Sequence, residues 1–406
     1  MHKYLLLLSI LSLSILHGEE ELASSSGHGL AFLAPQNRWA VRIELRTNSY
    51  DTLFNNSGDK TKLGSQIDNA ALDNQVFPIL GLFGSNATLG TTHMNMDVNT
   101  QQYEVTLGYG LTKDFTLGAI IPFGKVKVNA HFSVSGGSVG FNPLYNPALT
   151  TGVGNLPFAP IGAGATPLGT EGVQTLLSNP IFGYAYKKLG YTETTGIGDP
   201  TIGAFWRVYE DSSSSFVLGA GLRLGLADLP DPDNLLAIPL GDSSNDIRLR
   251  MEYYRNLGNH FDLLLQVEHD IQLSDKIISR VPAIGELLAI ESSKEKLSRN
   301  MGNYWEYDIG LGKSIGNWRL GATWHRYKKE ADKYTSDIGT DTSALSENTS
   351  LYANQWKGSI SWSGINAWKE GILPMPLIVE LTVQETYEAK NFPKVRDIYF
   401  RITSFF

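Results

Sequence analysis

The 406-residue chain contains no cysteine. That excludes a disulfide framework and any thiolate metal site. It also has no apolar run of the ~18 residues a helix needs to cross a bilayer. The longest such run, Tyr4 to Leu16, follows Lys3 at the very start. Its length and position predict a secretory signal peptide, residues 1–18, cleaved after Gly18. Basic charge is short as well: Lys and Arg number 33 against 41 Asp and Glu, a net charge of −8. Nucleic acid needs a basic face, so it is excluded as a partner.

What fills the chain instead is alternation. "RDIYFRITSFF" (396–406) sets Ile398, Phe400, Ile402 and Phe406 against Asp397, Tyr399, Arg401 and Thr403. Strict period two marks a β-strand whose faces meet different surroundings. Eleven further stretches read the same way: 38–48, 101–112, 115–121, 200–209, 215–226, 246–256, 260–270, 304–314, 318–328, 350–362 and 377–388. The links between them alternate short and long. Short ones lie at 112–114, 210–215, 257–259, 314–317 and 363–375. Long ones lie at 49–99, 134–195, 227–245, 271–303, 330–350 and 389–395.

An even count of antiparallel strands with short turns at one end and long loops at the other predicts an all-β fold, a transmembrane up-and-down β-barrel of about twelve strands. The short turns then face the periplasm, the long loops the outside, and the protein belongs in a bacterial outer membrane. Only a closed sheet satisfies every backbone polar group in hydrocarbon. A soluble β-sandwich would show the same alternation. Aromatic residues near strand ends (Trp39, Tyr109, Trp206, Trp318, Trp324, Trp356, Trp362) argue for the barrel, because they resemble interfacial girdles. The expected organisation is a signal peptide at 1–18, a short periplasmic or luminal segment at 19–37, and the barrel at 38–406.

Three stretches carry a family resemblance. "LGYGLTKDFTLGAIIPF" resembles the second hairpin of FadL-type transporters, to which TodX belongs, and of the family described as the MetA pathway of phenol degradation. "TTGIGDPTIGAFWRV" is similar to that family's Gly-x-Gly-Asp strand start, through Gly196, Gly198, Asp199 and Gly203. "GLRLGLADLPDPDNLLAIPLGDSSNDIRLRMEYYRNLG" resembles the hairpin that follows, ending on Asp246. Two departures stand out: Ala227-Asp228-Leu229 replaces a Pro-Thr-Gly, and only about nineteen residues separate the cleavage point from the first strand. A plug, if present, is then expected from the two longest loops, 49–99 and 134–195. The resemblance implies uptake of small apolar or aromatic molecules, with outer-membrane lipid and the outer-membrane assembly machinery as partners. The terminal aromatic Phe406 resembles the assembly signal of such barrels. A general diffusion porin for polar solutes and a surface adhesive barrel remain as alternatives.

With the apolar faces turned to lipid, the lumen receives Arg42, Glu44, Arg46, Glu104, Arg207, Arg223, Arg248, Arg250, Glu252, Glu268, Glu306 and Asp308, with Asp262 and Asp270. A basic arc beside an acidic arc would set up a transverse field; alternatively the charges pair across neighbouring strands. Catalytic residues are not expected. His269 is the best lipid-side histidine, and no serine stands in a motif that would make it a nucleophile. Asp228, Asp231 and Asp233 cluster in one outer loop but match no calcium-loop spacing, and no metal or cofactor is expected. Residues 281–300 show helical spacing of Ile284, Leu287, Leu288 and Ile290. In "FTLGAIIPFGKVKVNAHF" the apolar parity shifts by one after Pro122. That predicts a bulge in the third strand at Pro122, Phe123 and Gly124, either a curvature device or, by resemblance to FadL's kinked strand, a lateral exit.

Overall fold

The computed structural model describes residues 33–406 apart from 153, 163, 284, 285 and 287. The signal peptide and most of the 19–37 segment fall outside the described residues. Twelve antiparallel strands close into a barrel. They are β1 Trp39–Tyr50, β2 Thr91–Gly110, β3 Phe115–Ser135, β4 in two segments Thr192–Ile197 and Thr201–Glu210, β5 Ser214–Arg223, and β6 Asp246–Gly258. They continue as β7 Phe261–Gln272, β8 Tyr304–Ile315, β9 Trp318–Lys329, β10 Leu351–Ser363, β11 Leu377–Lys390 and β12 Arg396–Phe405. β12 pairs with β1, Ile402 opposite Ile43. Beyond the strand end, Phe406 and Trp39 exchange backbone hydrogen bonds of 2.8 and 2.9 Å. Closure removes the unpaired edges that an open sheet would expose.

The short turns lie at 111–114, 211–213, 259–260, 316–317 and 364–376. The long links form loop 1 (51–90), loop 2 (136–191), loop 3 (224–245), loop 4 (273–303), loop 5 (330–350) and loop 6 (391–395). The barrel is apolar outside and polar inside. Ile43, Leu249, Leu265, Ile309 and Phe400 are exposed, while Arg42, Arg248, Gln266, Asp308 and Arg401 are buried. Trp39 packs on Tyr109 at one rim (5.1 Å between rings), and Tyr103 stacks on Phe123 higher up the same two strands (5.4 Å). Between these pairs the outward residues of β2 are Val105 and Leu107, so aromatic rings flank the apolar belt on this strand.

β2 and β3 run on for about ten residues past that height. Their outward side chains become polar (Gln101, Asn99, Asp97; Lys125, Lys127, Asn129), and their inward ones become apolar (Val98, Met96, Met94; Val126, Val128, Ala130). This corrects the expected bulge. β3 keeps one uninterrupted register with β2 from Gly110–Thr116 to Thr91–Ser135, with Pro122 opposite Glu104 and Gly124 opposite Gln102. The parity of apolar residues changes because the strand leaves the membrane and meets an apolar filling inside the mouth. The irregularity lies across the other edge of β3. Ile120 pairs with Thr201 and Phe123 with Ile197, so Gly198, Asp199 and Pro200 bridge the break opposite Ile121 and Pro122. The extra residue is in β4.

That filling is a cluster of Met94, Met96, Val98, Val126, Val128 and Ala130 with Leu53, Phe54 and Leu63 of loop 1, and Leu236 and Ile238 of loop 3. Loop 1 thus fills the mouth as expected, but its buried partners come from the shorter loop 3 and from Phe392 and Val395 of loop 6, where the long loop at 134–195 was expected to share the work. In residues 281–300 the described portion holds a short 3-10 turn, Glu291–Ser293, and the strand Lys294–Asn300, which pairs with Asp275–Arg280. Of the residues whose spacing suggested a helix, Ile284 and Leu287 fall outside the described residues.

Candidate functional site

In the membrane-level lumen, charges are packed side by side. Arg248 donates to Asp270 (Nη2–Oδ2 2.8 Å) and to the Tyr304 hydroxyl (2.9 Å). Arg250 reaches Glu252 (2.6 Å), Glu268 (3.3 Å) and the Gln266 side-chain carbonyl (2.5 Å). Asp308 takes His325 at 2.8 Å and Lys357 at 3.3 Å, with Glu306 4.0 Å from the same imidazole. On the opposite wall Arg401 bridges Glu44 and Glu380, the latter at 2.8 Å, and Arg46 meets Asp397 at 2.9 Å. Arg42 is buried with a contact to Thr403, and Glu104 accepts from Thr106 at 2.9 Å.

The geometry is that of pairs across neighbouring strands, because register places opposite charges together: Arg248 faces Asp270 and Arg250 faces Glu268. Buried ions need such partners to offset desolvation. Arg207 stands apart, at the periplasmic rim, held by Asp114 (2.9 Å) and Glu210 (2.8 Å). Arg223 binds Asp242 of loop 3 at 2.5 Å and Asp246. His269 stacks on Trp305 (3.8 Å) and contacts the Tyr304 carbonyl at 3.0 Å.

Above the charges the surroundings change. Loops 1 to 4 line a partly open cavity of about 170 Å³. Its wall is mainly apolar: Ile67, Leu72, Val76, Phe77, Met96, Phe132, Val173, Leu177, Leu189, Leu235, Leu236 and Leu288. Val173 and Leu177 are presented by α1 (Gly169–Ser178), whose buried face, Val173, Gln174, Leu176 and Leu177, recurs at helical spacing. Gln174 fastens the helix to the chain at Leu189 through two hydrogen bonds of 2.7 and 2.9 Å.

From this cavity an apolar thread descends along loop 3 through Leu236 and Ile238 to Leu240, which stands against the break in β4. A Cβ on Gly198 would lie 2.8 Å from the Leu240 carbonyl and 3.1 Å from the Pro122 ring, so wall and loop touch there. Asp199 ties them. Its carboxylate accepts backbone N–H groups of Ala227 (2.8 Å), Asp242 (2.8 Å) and Ser243 (3.0 Å). Sequence reading singled out Asp199 only by resemblance. The loop residues it holds follow no local pattern and were missed.

Asp231 and Asp233 are engaged by basic groups. Lys187 meets Asp231 at 2.8 Å, while Arg280 (2.5 Å) and Lys294 (2.6 Å) clamp Asp233. Partial burial acts to raise the Asp233 carboxyl, but the Lys294 ammonium and Arg280 guanidinium outweigh it and hold it below the usual range. Burial pushes the Tyr186 phenol up to about 12, beneath the Arg280 guanidinium 3.8 Å over its ring. Asp233 thus joins loop 3 to loop 4.

A closed twelve-stranded barrel with a lipid-facing apolar belt is an outer-membrane β-barrel. More narrowly, the chain belongs to the family described as "Putative MetA-pathway of phenol degradation", which matches residues 82–364. An outer-membrane channel from Pseudomonas putida F1 shares the fold, with a TM-score of 0.55 at 12% identity over 95% of this chain and 100% of that one. A deletion mutant of the TodX monoaromatic hydrocarbon channel aligns over 97% of this chain and 95% of its own, at 8% identity and a TM-score of 0.37. No curated protein matches the sequence.

Proposed function

We propose that this barrel takes up small apolar, aromatic compounds across the outer membrane and carries no catalysis. The cavity at the mouth supports this reading most directly. Its volume of about 170 Å³ is close to the ~150 Å³ at which a dry apolar cavity accepts benzene. The family's description, phenol degradation, agrees with an aromatic solute.

The route follows from what lies below. An apolar solute gains nothing from a lumen filled with Arg42, Glu44, Arg46, Glu104, Arg223, Arg248, Arg250, Glu252, Glu268, Glu306 and Asp308, whose paired charges would have to separate to admit it. The thread through Leu236, Ile238 and Leu240 leads instead to the wall break bounded by Pro122, Phe123, Gly124 and Gly198–Pro200. On this reading the break is the lateral exit to the membrane, and Asp199 holds loop 3 across it. Residues 1–18 serve as export signal, 38–406 as barrel, and Phe406 as the mark read during assembly.

The test uses purified protein in liposomes with labelled toluene. Val173→Trp fills the cavity and should abolish uptake while the barrel still assembles. Removing Gly198 together with Pro200→Val lets β4 pair with β3 without interruption, and should block toluene but leave ion conductance intact. Toluene uptake equal to that of the parent in Val173→Trp would overturn the substrate reading; equal uptake in the repaired wall would overturn the exit alone.

A further inference from the structure

Three cations meet on the outer wall of the barrel, on β9 and β11 with β10 between them. Register sets Lys328 opposite Tyr352 and Tyr352 opposite Lys390, so these three form one row across neighbouring strands. Arg326 stands two residues below Lys328 on β9, with its guanidinium 5.3 Å over the Tyr352 ring. Their chain neighbours Tyr327, Ala353 and Ala389 are buried in the barrel, so alternation turns all four outward. Among the described residues none of the three cations has a carboxylate partner. Glu388 accepts the Asn354 amide at 2.9 Å, and the Asn354 carbonyl in turn accepts from Arg326 at 3.4 Å. Elsewhere on the outer wall Lys125 meets Glu193 at 3.0 Å and Arg396 meets Glu385 at 2.8 Å. The chain as a whole is acidic, with a net charge of −8, so this cluster runs against its average.

What lies beneath fixes the height. Trp324, two residues before Arg326, is opposite Trp356 and donates to the Tyr387 hydroxyl at 3.0 Å. Trp356 stacks on Tyr387 with 6.0 Å between rings. Trp and Tyr gather where hydrocarbon meets headgroups. Glu385, in ion pair with Arg396, is opposite Trp356 in register, and an outward charged pair at this level also marks the edge of the hydrocarbon. β9 rises from the turn at 316–317 toward loop 5, so this edge is the outer one. At ~3.3 Å per residue on a tilted strand, Arg326 stands about 5 Å above it and Lys328 about 10 Å. That is the headgroup layer of the outer leaflet.

We infer that β9, β10 and β11 bind the headgroup of a phosphorylated glycolipid of that leaflet. The Arg326 fork fits phosphate oxygens, and Lys328 and Lys390 bring two further charges to the same face. Tyr352 between them offers an apolar ring face with a polar tip, which suits a sugar. At this height an anionic headgroup is the partner that the charge selects. β10 lies halfway round the barrel from β4, so a lipid held here leaves the break in β4 uncovered.

The experiment adds diphosphorylated lipid A to the assembled protein in detergent and reads binding by native mass spectrometry. Assembly of each variant is checked by its heat-shifted electrophoretic mobility. The parent should retain the lipid. Arg326→Gln/Lys328→Gln should weaken binding about thirtyfold, the loss expected for two cations at an anionic lipid. Lys125→Gln/Lys127→Gln, across the barrel, should leave binding unchanged. Equal binding by the parent and the first variant overturns the inference. So does an equal loss in the second variant, which would make the attraction one of general charge. The parent alone tests the headgroup. Dephosphorylated lipid A or phosphatidylglycerol bound as tightly as the diphosphorylated form would overturn a phosphorylated glycolipid as the occupant. Displacement of the lipid by equimolar glucosamine 1-phosphate would overturn it in favour of a soluble sugar phosphate.

Discussion

At the scale of single residues, the barrel is defined by which neighbour sees water and which sees lipid. Leu265 is exposed on the outer face, and Gln266, one residue on, is buried against Arg250. Leu265→Arg puts a charge into hydrocarbon and should cost ~2–4 kcal/mol near the midplane. Reversible unfolding in bilayers measures this, and a cost no larger than that of Leu265→Gln would show the face to be misassigned. Gln266→Arg is no neutral control, since it would set a second guanidinium beside Arg250. This inside–outside pattern was legible in the sequence because period two survives whatever the fold does above the membrane. The partners of each charge were not, because register across strands decides them and a single strand does not carry it.

At the scale of elements, strands were legible and loops were not. All twelve barrel strands overlap the stretches where alternation places them, although β2 begins at Thr91, inside the link expected at 49–99. The outer segment of β4, Thr192–Ile197, escaped notice because its outward Glu193 and Thr195 lie above the lipid and break the apolar alternation. The parity shift in β3 was a real signal read with the wrong cause. Alternation reports that the environment changes, and it does not say whether the strand bends or the interior does. Loop 3 is fastened by groups far apart in sequence, Asp199 to its ends and Asp233 to loop 4. Asp233 is held below its ordinary pKa, so its clamp contributes fully above about pH 3.9 and is lost as pH falls through the lowered value. Loop 3 amides should accordingly exchange hydrogen faster at pH 3 than at pH 5 after correction for intrinsic rates, and Asp233→Asn should show the faster behaviour at both. Identical protection at the two pH values in the parent would contradict the clamp.

At the scale of the whole molecule, the polar and apolar interiors are stacked. The lumen between β1 and β12 is filled by paired ions, and the mouth above it by packed loops. A barrel so filled should pass little ionic current for its strand number, and Arg401→Ala, by removing the side chain that bridges Glu44 and Glu380, should raise the current in planar bilayers. A parent current as large as that of an empty barrel would show that the packing opens in the membrane. With the solute leaving through the wall as proposed, toluene uptake should not follow the current.

The closed inner face also constrains how the molecule is made. Were the sheet to enter the bilayer flat, Arg42, Arg248 and Arg401 would each meet hydrocarbon from the side later turned to the lumen, at ~2–4 kcal/mol apiece near the midplane. Rolling up and going in must therefore proceed together, with the seam between β1 and β12 closing as the charged face turns inward.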